Sequence, residues 1–422
     1  MLALGIDFGT SGARAVVIDA LGQTVASARC AFAAGELASP VAWQQVLWQL
    51  MESIEVSVRK CFSRIAINGT SATVLLCDQN SNPLTPALIY SDATARSALH
   101  ELEPIAPAGS PVLSATSSLV KAMWWYRMLD DEVRSQVAQL CHQADWIAGL
   151  LHSQKPVSDY HNALKLGYDV QNLDYPDWLL ALPIAPWLPA VKVPGEVIAP
   201  IAPDIAKRFS IPESCQICAG TTDSIAAFLA SEATQPGDAV TSLGSTVVLK
   251  LLSPVSINDQ AFGVYSHRLG DLWLVGGASN TGGAVLKQYF SADELSTLSG
   301  QIDVSVLCGL DYYPLRSPGE RFPINDPDYL PRLTPRPERD VDFLYGILDA
   351  IARIESEGYQ KLEALGSPAL TQVYTAGGGA QNEVWQQLRQ RRLGVDVSVA
   401  EQTEAAYGTA RLAWRGLVQY RL

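Results

Sequence analysis

The first thirty residues alternate short apolar runs with glycine, hydroxyl and acidic positions. The pattern predicts a strand at 2–7, a tight turn at 9–12 and a second, antiparallel strand at 14–19. A third strand at 23–30 completes a predicted meander. The turn has an uncommon composition, because the carboxylate of Asp7 precedes two glycines and two hydroxyls and no lysine lies within the turn.

The same pattern returns in the middle of the chain. The stretch "GDAVTSLGSTVVLKLL" again predicts a strand, a glycine–hydroxyl turn and a strand, and it indicates a structural repeat. Apolar spacing of about 3.6 residues predicts the helices. They lie at 41–60, 122–140, 341–365, 383–392 and, near the end of the chain, 404–418.

Length and charge limit the classes of protein to which this chain can belong. A chain of 422 residues holds two to three domains of ordinary size, and 48% hydrophobic residues supply their cores. The formal charge of −13 argues against a nucleic-acid partner, because such proteins usually present a basic face. No apolar run approaches a membrane span, so we expect no membrane partner. We expect a cytoplasmic protein, or a plastid stromal one if it comes from a plant and lacks its transit peptide.

The turn after the first strand can bind an anion. Its backbone N–H groups and the hydroxyls of Thr10 and Ser11 can converge on phosphate oxygens. Asp7 would repel phosphate, but it can hold Mg²⁺ that meets the phosphate oxygens. The lysine-containing loop of other phosphate-binding proteins is absent from the sequence. An ordinary hairpin with an acidic cap remains the alternative.

The seven cysteines are scattered, and Cys215 and Cys218 form the single C-x-x-C pair. No second pair indicates a zinc site, and no neighbouring pattern indicates thioredoxin chemistry. We interpret both as buried thiols in a strand, with a redox switch as the alternative.

Several motifs follow one another along the chain. They are "GIDFGTSGARAVVID", "AGTTDSIAA", "SLGSTVV", "GGASNTGGAVLKQY", "GERFP", "YTAGGGAQNEVW" and "EAAYGTARLAW". In this order they resemble the motifs of the FGGY family of carbohydrate kinases, within the actin-like ATPase superfamily. The match runs almost end to end, and the likeness is closest to the short, xylulokinase-like members of cyanobacteria and plants, which act on D-ribulose.

The resemblance implies a fold and a reaction. The fold would be α/β, with two ribonuclease-H-like domains facing a central cleft. A sugar-binding domain would span 1–230 and regain the helix 405–422, and a nucleotide-binding domain would span 231–404. The reaction would use ATP and Mg²⁺ to phosphorylate a ketopentose, with D-ribulose first and D-xylulose second. A non-catalytic nucleotide sensor of the actin-like type is the alternative, and the oligomeric state stays open.

The resemblance also implies roles for individual residues. Asp223 would be the general base, and its alternative role is that of a helix N-cap. Asp7 would hold Mg²⁺ and, with Ser71 and Asp223, lie at the substrate. Lys287 would contact nucleotide, or it is an ordinary surface lysine. The residues implied to bind ATP are Thr10, Ser11, Gly244, Ser245, Gly283, Lys287, Gly378 and Asn382.

The sugar-binding stretch departs from the family pattern. Ser71 and Ala72 stand where xylulokinases carry a methionine and a sugar-contacting histidine. In "LIYSDATAR", Tyr90 stands at the tryptophan position, Asp92 is kept, and Thr94 replaces the arginine. Ser71 can hydrogen-bond a sugar hydroxyl or its own backbone.

Overall fold

The computed structural model describes residues 1–420, which form mixed α/β structure. They divide into two compact units. The first unit comprises Met1–Ala230 and Glu404–Gln419, and the second comprises Ser231–Thr403 and also includes Tyr420. No helix in this described part of the chain is both long and apolar enough to cross a membrane.

The elements are numbered in chain order within the described residues. The strands are β1 (Leu2–Phe8), β2 (Gly12–Ile18), β3 (Thr24–Ala31), β4 (Phe62–Gly69), β5 (Val74–Cys77), β6 (Gln139–His142), β7 (Ser158–Asp159), β8 (Val191–Lys192), β9 (Val197–Pro200), β10 (Gln216–Cys218), β11 (Thr221–Thr222), β12 (Asp238–Leu243), β13 (Val247–Ser253), β14 (Tyr265–Leu269), β15 (Leu272–Ser279), β16 (Gln372–Ala376) and β17 (Asp396–Val399). The helices are α1 (Pro40–Ser53), α2 (Val56–Arg59), α3 (Leu99–Leu102), α4 (Ser118–Met128), α5 (Asp131–Gln136), α6 (Gln143–His152), α7 (Tyr160–Ala163), α8 (Asp177–Leu180), α9 (Pro203–Phe209), α10 (Asp223–Ala230), α11 (Gly283–Leu286), α12 (Ala292–Ser299), α13 (Asp340–Ala364), α14 (Glu383–Leu393) and α15 (Ala405–Arg415).

The main sheet of the first unit has the strand order β3-β2-β1-β4-β10-β9, with β11 beside β4. Strands β1, β2 and β3 form the predicted antiparallel meander, whereas β4 runs parallel to β1, β10 and β11. Helices α1, α6 and α9 pack on one face around Trp43, Ile147 and Phe209, none of which is exposed. The parallel strands bring their carboxyl ends to one edge, which is where α/β proteins place ligands.

Helix α15 covers the other face of this sheet through small residues. Ala406, Ala410 and Ala413 pack against apolar residues of β1, β2 and β4. A Cβ added to Gly5 would overlap Ala406 and Ala410, and a Cβ added to Gly408 would overlap the carbonyl oxygen of Ala226 in α10. The helix therefore lies nearly backbone to backbone with β1 and α10.

The second unit repeats the hairpin arrangement. Its sheet has the order β14-β15-β13-β12-β16-β17, and the hairpin strand β12 pairs antiparallel with β13 and parallel with β16. The long helix α13 packs on this sheet, and the buried guanidinium of Arg389 binds Glu355 of α13 at 2.6 Å and Thr375 of β16 at 2.6 Å. This network ties α14, α13 and the sheet together.

Three predicted helices differ from the structure. The predicted helix 41–60 is interrupted, because Ile54 and Glu55 adopt extended backbone between α1 and α2. The predicted helix 122–140 is wrong beyond Met128: Asp130 caps a separate helix, α5, and residues 139–142 pair with β5 as strand β6. Pairing with β5 buries that strand on both faces, a non-local contact that outweighs helical spacing.

The predicted C-terminal helix, 404–418 from the apolar spacing and 405–422 from the resemblance, is also shorter in the structure. Helix α15 ends at Arg415, because Gly416 has a φ of 61° that breaks the helical backbone. A short 3-10 turn follows at Val418–Tyr420, and the last two residues of the longer predicted range lie outside the described residues.

We expect Gly408→Ala to lower the free energy of unfolding by about 1–3 kcal/mol, because the added methyl group overlaps the Ala226 carbonyl. Urea unfolding of the purified chain measures this. Gly309→Ala is the matched control, since nothing lies within 4 Å of a Cβ at that position. Equal midpoints for Gly408→Ala and wild type would contradict the backbone contact.

Candidate functional site

The carboxyl ends of β1, β4 and β11 bring the predicted acidic residues of the first unit together. Asp7 of β1 lies opposite Asn68 of β4, and Asn68 lies opposite Thr221 of β11. Asp223 follows β11 directly as the first residue of α10. The parallel register therefore brings two carboxylates, 216 residues apart in sequence, to one edge of the sheet.

Asp7 occupies an electrostatically unfavourable position. The pKa of Asp7 is raised from 3.8 to about 6. Burial is the largest cause of this rise, and repulsion from the Asp223 carboxylate is the second largest. Arg14 and a hydrogen bond from Asn68 act in the opposite direction. The buried Oδ1 atom of Asp7 has no hydrogen-bond partner among the described residues. A buried, unpartnered carboxylate oxygen beside a second carboxylate is a fitting place for a divalent cation.

Asn68 connects this acidic pair to the C-terminal helix. Its Nδ2 donates to the hydroxyl of Thr409 at 2.6 Å, and that hydroxyl donates to the Ala405 carbonyl within α15. Asn68 and Thr409 are both fully buried. Helix α15 thus positions the amide beside Asp7.

Asp223 begins α10 and is partly buried. Its Oδ1 accepts the backbone N–H of Ser224 at 2.6 Å. The preceding Thr221 hydroxyl lies 2.7 Å from Nδ1 of the buried His161. The start of α10 therefore fixes the position of the Asp223 carboxylate, which stays partly exposed to solvent.

Two lysines to which the sequence analysis assigned no role lie in this unit, the partly buried Lys165 and the fully buried Lys121. Lys165 lies in the 3-10 turn Leu164–Leu166, where burial lowers its pKa and attraction to the Asp223 carboxylate opposes that shift. Burial also lowers the pKa of Lys121 to about 8, with Asp92 opposing and Lys165 adding to the shift. A lysine in an otherwise apolar run, as in "SLVKAMWW", is the one sequence signal that could have revealed Lys121.

The Ser71–Ala72 corner is held by one of these lysines. The Nζ atom of Lys121 donates to the carbonyls of Ala72 and Ile89, each at 2.7 Å. Ala72 has a φ of 62°, a left-handed conformation that this double contact stabilises. The hydroxyl of the partly exposed Ser71 makes no hydrogen bond with any described residue. The sequence left two alternatives for the Ser71 hydroxyl, a hydrogen bond to a sugar or one to its own backbone. The backbone hydrogen bond is absent from the described residues.

The predicted phosphate turn of the first unit is exposed. Thr10 and Ser11 lie at the tip between β1 and β2, and the turn is closed by a hydrogen bond from Gly9 N–H to the Gly12 carbonyl at 3.0 Å. Gly12 has a φ of 147°, and a Cβ there would overlap the Cys30 carbonyl of β3. Glycine is required at this position, and the two hydroxyls remain accessible.

Three of the predicted nucleotide residues surround the equivalent turn of the second unit. Gly244 and Ser245 are exposed between β12 and β13, and Gly283 N–H donates to the Gly244 carbonyl at 2.9 Å. The glycine run packs on the same turn, since a Cβ at Gly377 would lie 2.7 Å from the Leu243 carbonyl oxygen. A Cβ at Gly378 would meet nothing within 4 Å, so that position faces open space.

The remaining predicted nucleotide residues of the second unit are Lys287 and Asn382, and they are placed differently. Lys287 is exposed at the end of α11. Asn382 is the N-cap of α14: its Oδ1 accepts Trp385 N–H at 2.9 Å, and its Nδ2 donates to Ser299 at 2.8 Å. The carboxamide of Asn382 is therefore already engaged in holding α14 and α12.

The cysteine pair shows no sign of redox chemistry. Cys215 and Cys218 are fully buried free thiols. Burial raises the pKa of Cys218 to about 11, and that of Cys215 is raised as well. Reactive cysteines need an accessible thiolate, and neither residue supplies one at neutral pH.

Two other kinds of site find no support: a metal site built from protein ligands alone, and a hydrolase triad. Within residues 1–420 there is no cluster of three or more histidine, cysteine or acidic side chains that could hold a metal. His142 contacts Asp145 at 2.9 Å and Ser118 at 3.2 Å, in the order of a hydrolase triad. All three are at most 3% exposed, so no substrate can reach the serine and the network is structural.

Comparisons with known proteins match both halves of the chain. Residues 2–230 match the N-terminal domain model of the FGGY family of carbohydrate kinases, and residues 239–417 match its C-terminal domain model. The chain is 22% identical over 445 residues to the gluconokinase of Bacillus subtilis (strain 168), a match that spans 96% of this chain and 85% of that protein. It is 22% identical over 441 residues to the xylulose kinase of Escherichia coli (strain K12), spanning 97% and 89%.

A solved structure described as a xyloylose kinase from Brucella ovis has a TM-score of 0.86 to this chain at 20% identity, covering 99% of this chain and 90% of the other. This likeness establishes the fold alone. It confirms the predicted α/β fold, with a sheet in each of two units.

Asp7→Asn should stabilise the isolated protein in a pH-dependent way. Because the pKa of Asp7 is raised, its ionisation destabilises the folded state, and this loss grows as the pH rises from 3.8 through about 6. We expect the variant to gain about 1–3 kcal/mol over wild type near about pH 8, and the gain to vanish near about pH 4. Urea unfolding across this range measures it, with the exposed Asp271→Asn as control. A variant that is equally or less stable than wild type at the alkaline end would contradict the strained environment.

Proposed function

The chain belongs to the FGGY family of carbohydrate kinases, which use ATP to phosphorylate sugars, and we propose that its acceptor is a ketopentose, D-ribulose before D-xylulose. The product would be the 5-phosphate. The observation that carries the proposal is the pairing of Asp7 and Asp223 at the carboxyl edge of the first sheet.

Asp223 would act as the general base. A carboxylate close to the acceptor can take the proton of the primary hydroxyl as the oxygen attacks the γ-phosphorus. Asp223 suits this role because it is only partly buried, is held at the start of α10 and lies within electrostatic reach of Lys165. A pure nucleotide sensor would not need a base there.

Asp7 would hold Mg²⁺ and lie at the substrate. Its buried, unpartnered Oδ1 and its repulsion from Asp223 support this assignment, since a divalent cation offsets both. When bound, Mg²⁺ supplies charge neutralisation for the phosphate oxygens. Asp7 itself would orient the metal and stay ionised.

The remaining roles divide between the two units. Thr10 and Ser11 would contact the terminal phosphates from the first unit, which would bind the sugar. The second unit would bind ATP, with Gly244 and Ser245 at the phosphates. Gly283, Lys287, Gly378 and Asn382 would contact the nucleotide, and the open space at Gly378 supports a close approach of the nucleoside. We place the reaction in the cytoplasm, where both substrates are available.

The acceptor would contact Ser71. Its free hydroxyl, at a corner fixed by Lys121, supports a hydrogen bond to sugar. Ala72 removes the imidazole that the family pattern places there, so the preference for D-xylulose should weaken. A sugar acid such as gluconate is a further candidate, because the partly buried Lys165 ammonium, which interacts with Asp223, can pair with a carboxylate.

We expect Asp223→Ala to lower kcat by about 10²–10⁴-fold through loss of the base, with Mg·ATP affinity retained. A coupled ADP-release assay with D-ribulose measures this. Asp204→Ala, an exposed acid in the first turn of α9, is the matched control and should keep wild-type activity. Near wild-type turnover by Asp223→Ala refutes the base assignment, and sugar-independent ADP release by wild type would favour the nucleotide sensor.

For the acceptor, we expect kcat/KM for D-ribulose to exceed that for D-xylulose. The two sugars differ only at C3, and a site lacking the histidine loses one discriminating hydrogen bond. Ser71→Ala should lower kcat/KM for D-ribulose by about 3- to 10-fold, the worth of one neutral hydrogen bond. Steady-state kinetics on both pentuloses and on gluconate decide the matter: a preference for D-xylulose or gluconate would overturn the D-ribulose assignment.

A further inference from the structure

A cavity of about 500 Å³ opens beside the Ser245 turn, wholly within the second unit. Among the described residues that line it, none is acidic and one is a cation. The polar members of the lining are Ser245, Thr246, Asn280, Gln288, Arg316 and Ser317. A polar cavity with hydroxyls, amides and one guanidinium has the composition of an anion site.

Backbone hydrogen bonds join the two segments that form the floor of the cavity, the turn at 245–247 and the segment 281–284. The Ala284 N–H donates to the Ser245 carbonyl at 3.1 Å, and the Val247 N–H donates to the Thr281 carbonyl at 2.9 Å. Gly282 has a φ of 148°, and a Cβ there would lie 2.7 Å from the Cα of Thr246. The turn and the segment before α11 therefore pack backbone to backbone.

The loop that carries Arg316 is attached to this floor on both sides. Before Arg316, the Thr281 hydroxyl donates to the Pro314 carbonyl at 2.6 Å. After it, Asn280 Nδ2 donates to the Gly319 carbonyl at 3.0 Å, and Glu320 accepts the Asn280 N–H at 2.7 Å. The Arg316 backbone is thereby held above the Ser245 turn.

The guanidinium of Arg316 is uncommitted. Several other arginines of the second unit pair with carboxylates, as Arg389 does with Glu355 and Arg392 with Asp349. Arg316 is exposed and makes no ion pair or hydrogen bond with any residue of the described chain. A guanidinium has five donors in a planar fork that matches two phosphate oxygens.

We propose that Arg316 binds the β- and γ-phosphate oxygens of ATP and stabilises the charge that shifts among them during transfer. This inference rests on the proposed binding of ATP by the second unit. In the transfer, the bond between the γ-phosphorus and the β–γ bridging oxygen breaks, and a bond from the acceptor oxygen to that phosphorus forms. The acceptor proton goes to Asp223 and the leaving charge stays on ADP. Arg316 exchanges no proton; its positive charge interacts with those oxygens throughout.

Calorimetric titration of the full chain with Mg·ATP, and separately with AMP, tests the proposal. We expect Arg316→Ala to weaken Mg·ATP binding by about 10- to 100-fold, as for loss of a charged hydrogen bond, with AMP affinity unchanged. Arg316→Lys should recover part of the loss, because it restores charge without the fork. Arg339→Ala removes a surface guanidinium from the same unit outside the cavity and should bind like wild type.

Equal Mg·ATP affinity for Arg316→Ala and wild type would overturn this inference alone, and so would an equal loss of AMP and Mg·ATP binding. A wild-type chain that binds no Mg·ATP would instead overturn the proposed binding of ATP, and with it the role of Arg316. No acceptor is present, so an incorrect sugar assignment does not affect the result.

Discussion

The burial of Asp7 beside the Asp223 carboxylate is the constraint around which the candidate site of the first unit is built. Parallel pairing of β4 with both β1 and β11 brings the two carboxylates to one edge, and burial leaves Asp7 without a partner for Oδ1. The surrounding structure opposes this cost: Asn68 reaches Asp7, and Thr409 of α15 holds Asn68. A pair of carboxylates held against the stability of the fold supports the proposed binding of a divalent cation at this edge.

The proposed phosphate site of the second unit is built differently. Its turn at Gly244 and Ser245 contributes backbone groups and a hydroxyl, and closely packed glycines bring that turn against the segment before α11 and the glycine run after β16. Charge enters through Arg316, on a loop tied at Pro314 and Gly319. The same strand–turn–strand pattern thus serves an acidic site in one unit and a neutral-to-basic one in the other.

Local sequence patterns predicted many of the secondary-structure elements. They did not predict the contacts between residues that are far apart in the sequence. The hairpin of β1 and β2, the second hairpin of β12 and β13 and the glycine turn before α14 follow from residues within a short window. The proximity of Asp7 and Asp223 follows from strand register between distant segments, so sequence could imply it only through family resemblance. Lys165 and Arg316 carry no local motif, and Asn382, expected at the nucleotide, is already engaged as a helix cap.

The raised pKa of Asp7 supports its proposed role in receiving a metal–nucleotide complex. A carbon-detected NMR titration of the Asp7 carboxyl, in the isolated chain and with saturating Mg·ADP, tests this role. We expect an Asp7 pKa of about 6 in the isolated chain, and a clear fall once Mg·ADP is bound, because the cation favours the ionised carboxylate. An Asp7 pKa near its ordinary value in the isolated chain, or one that Mg·ADP leaves unchanged, would contradict it.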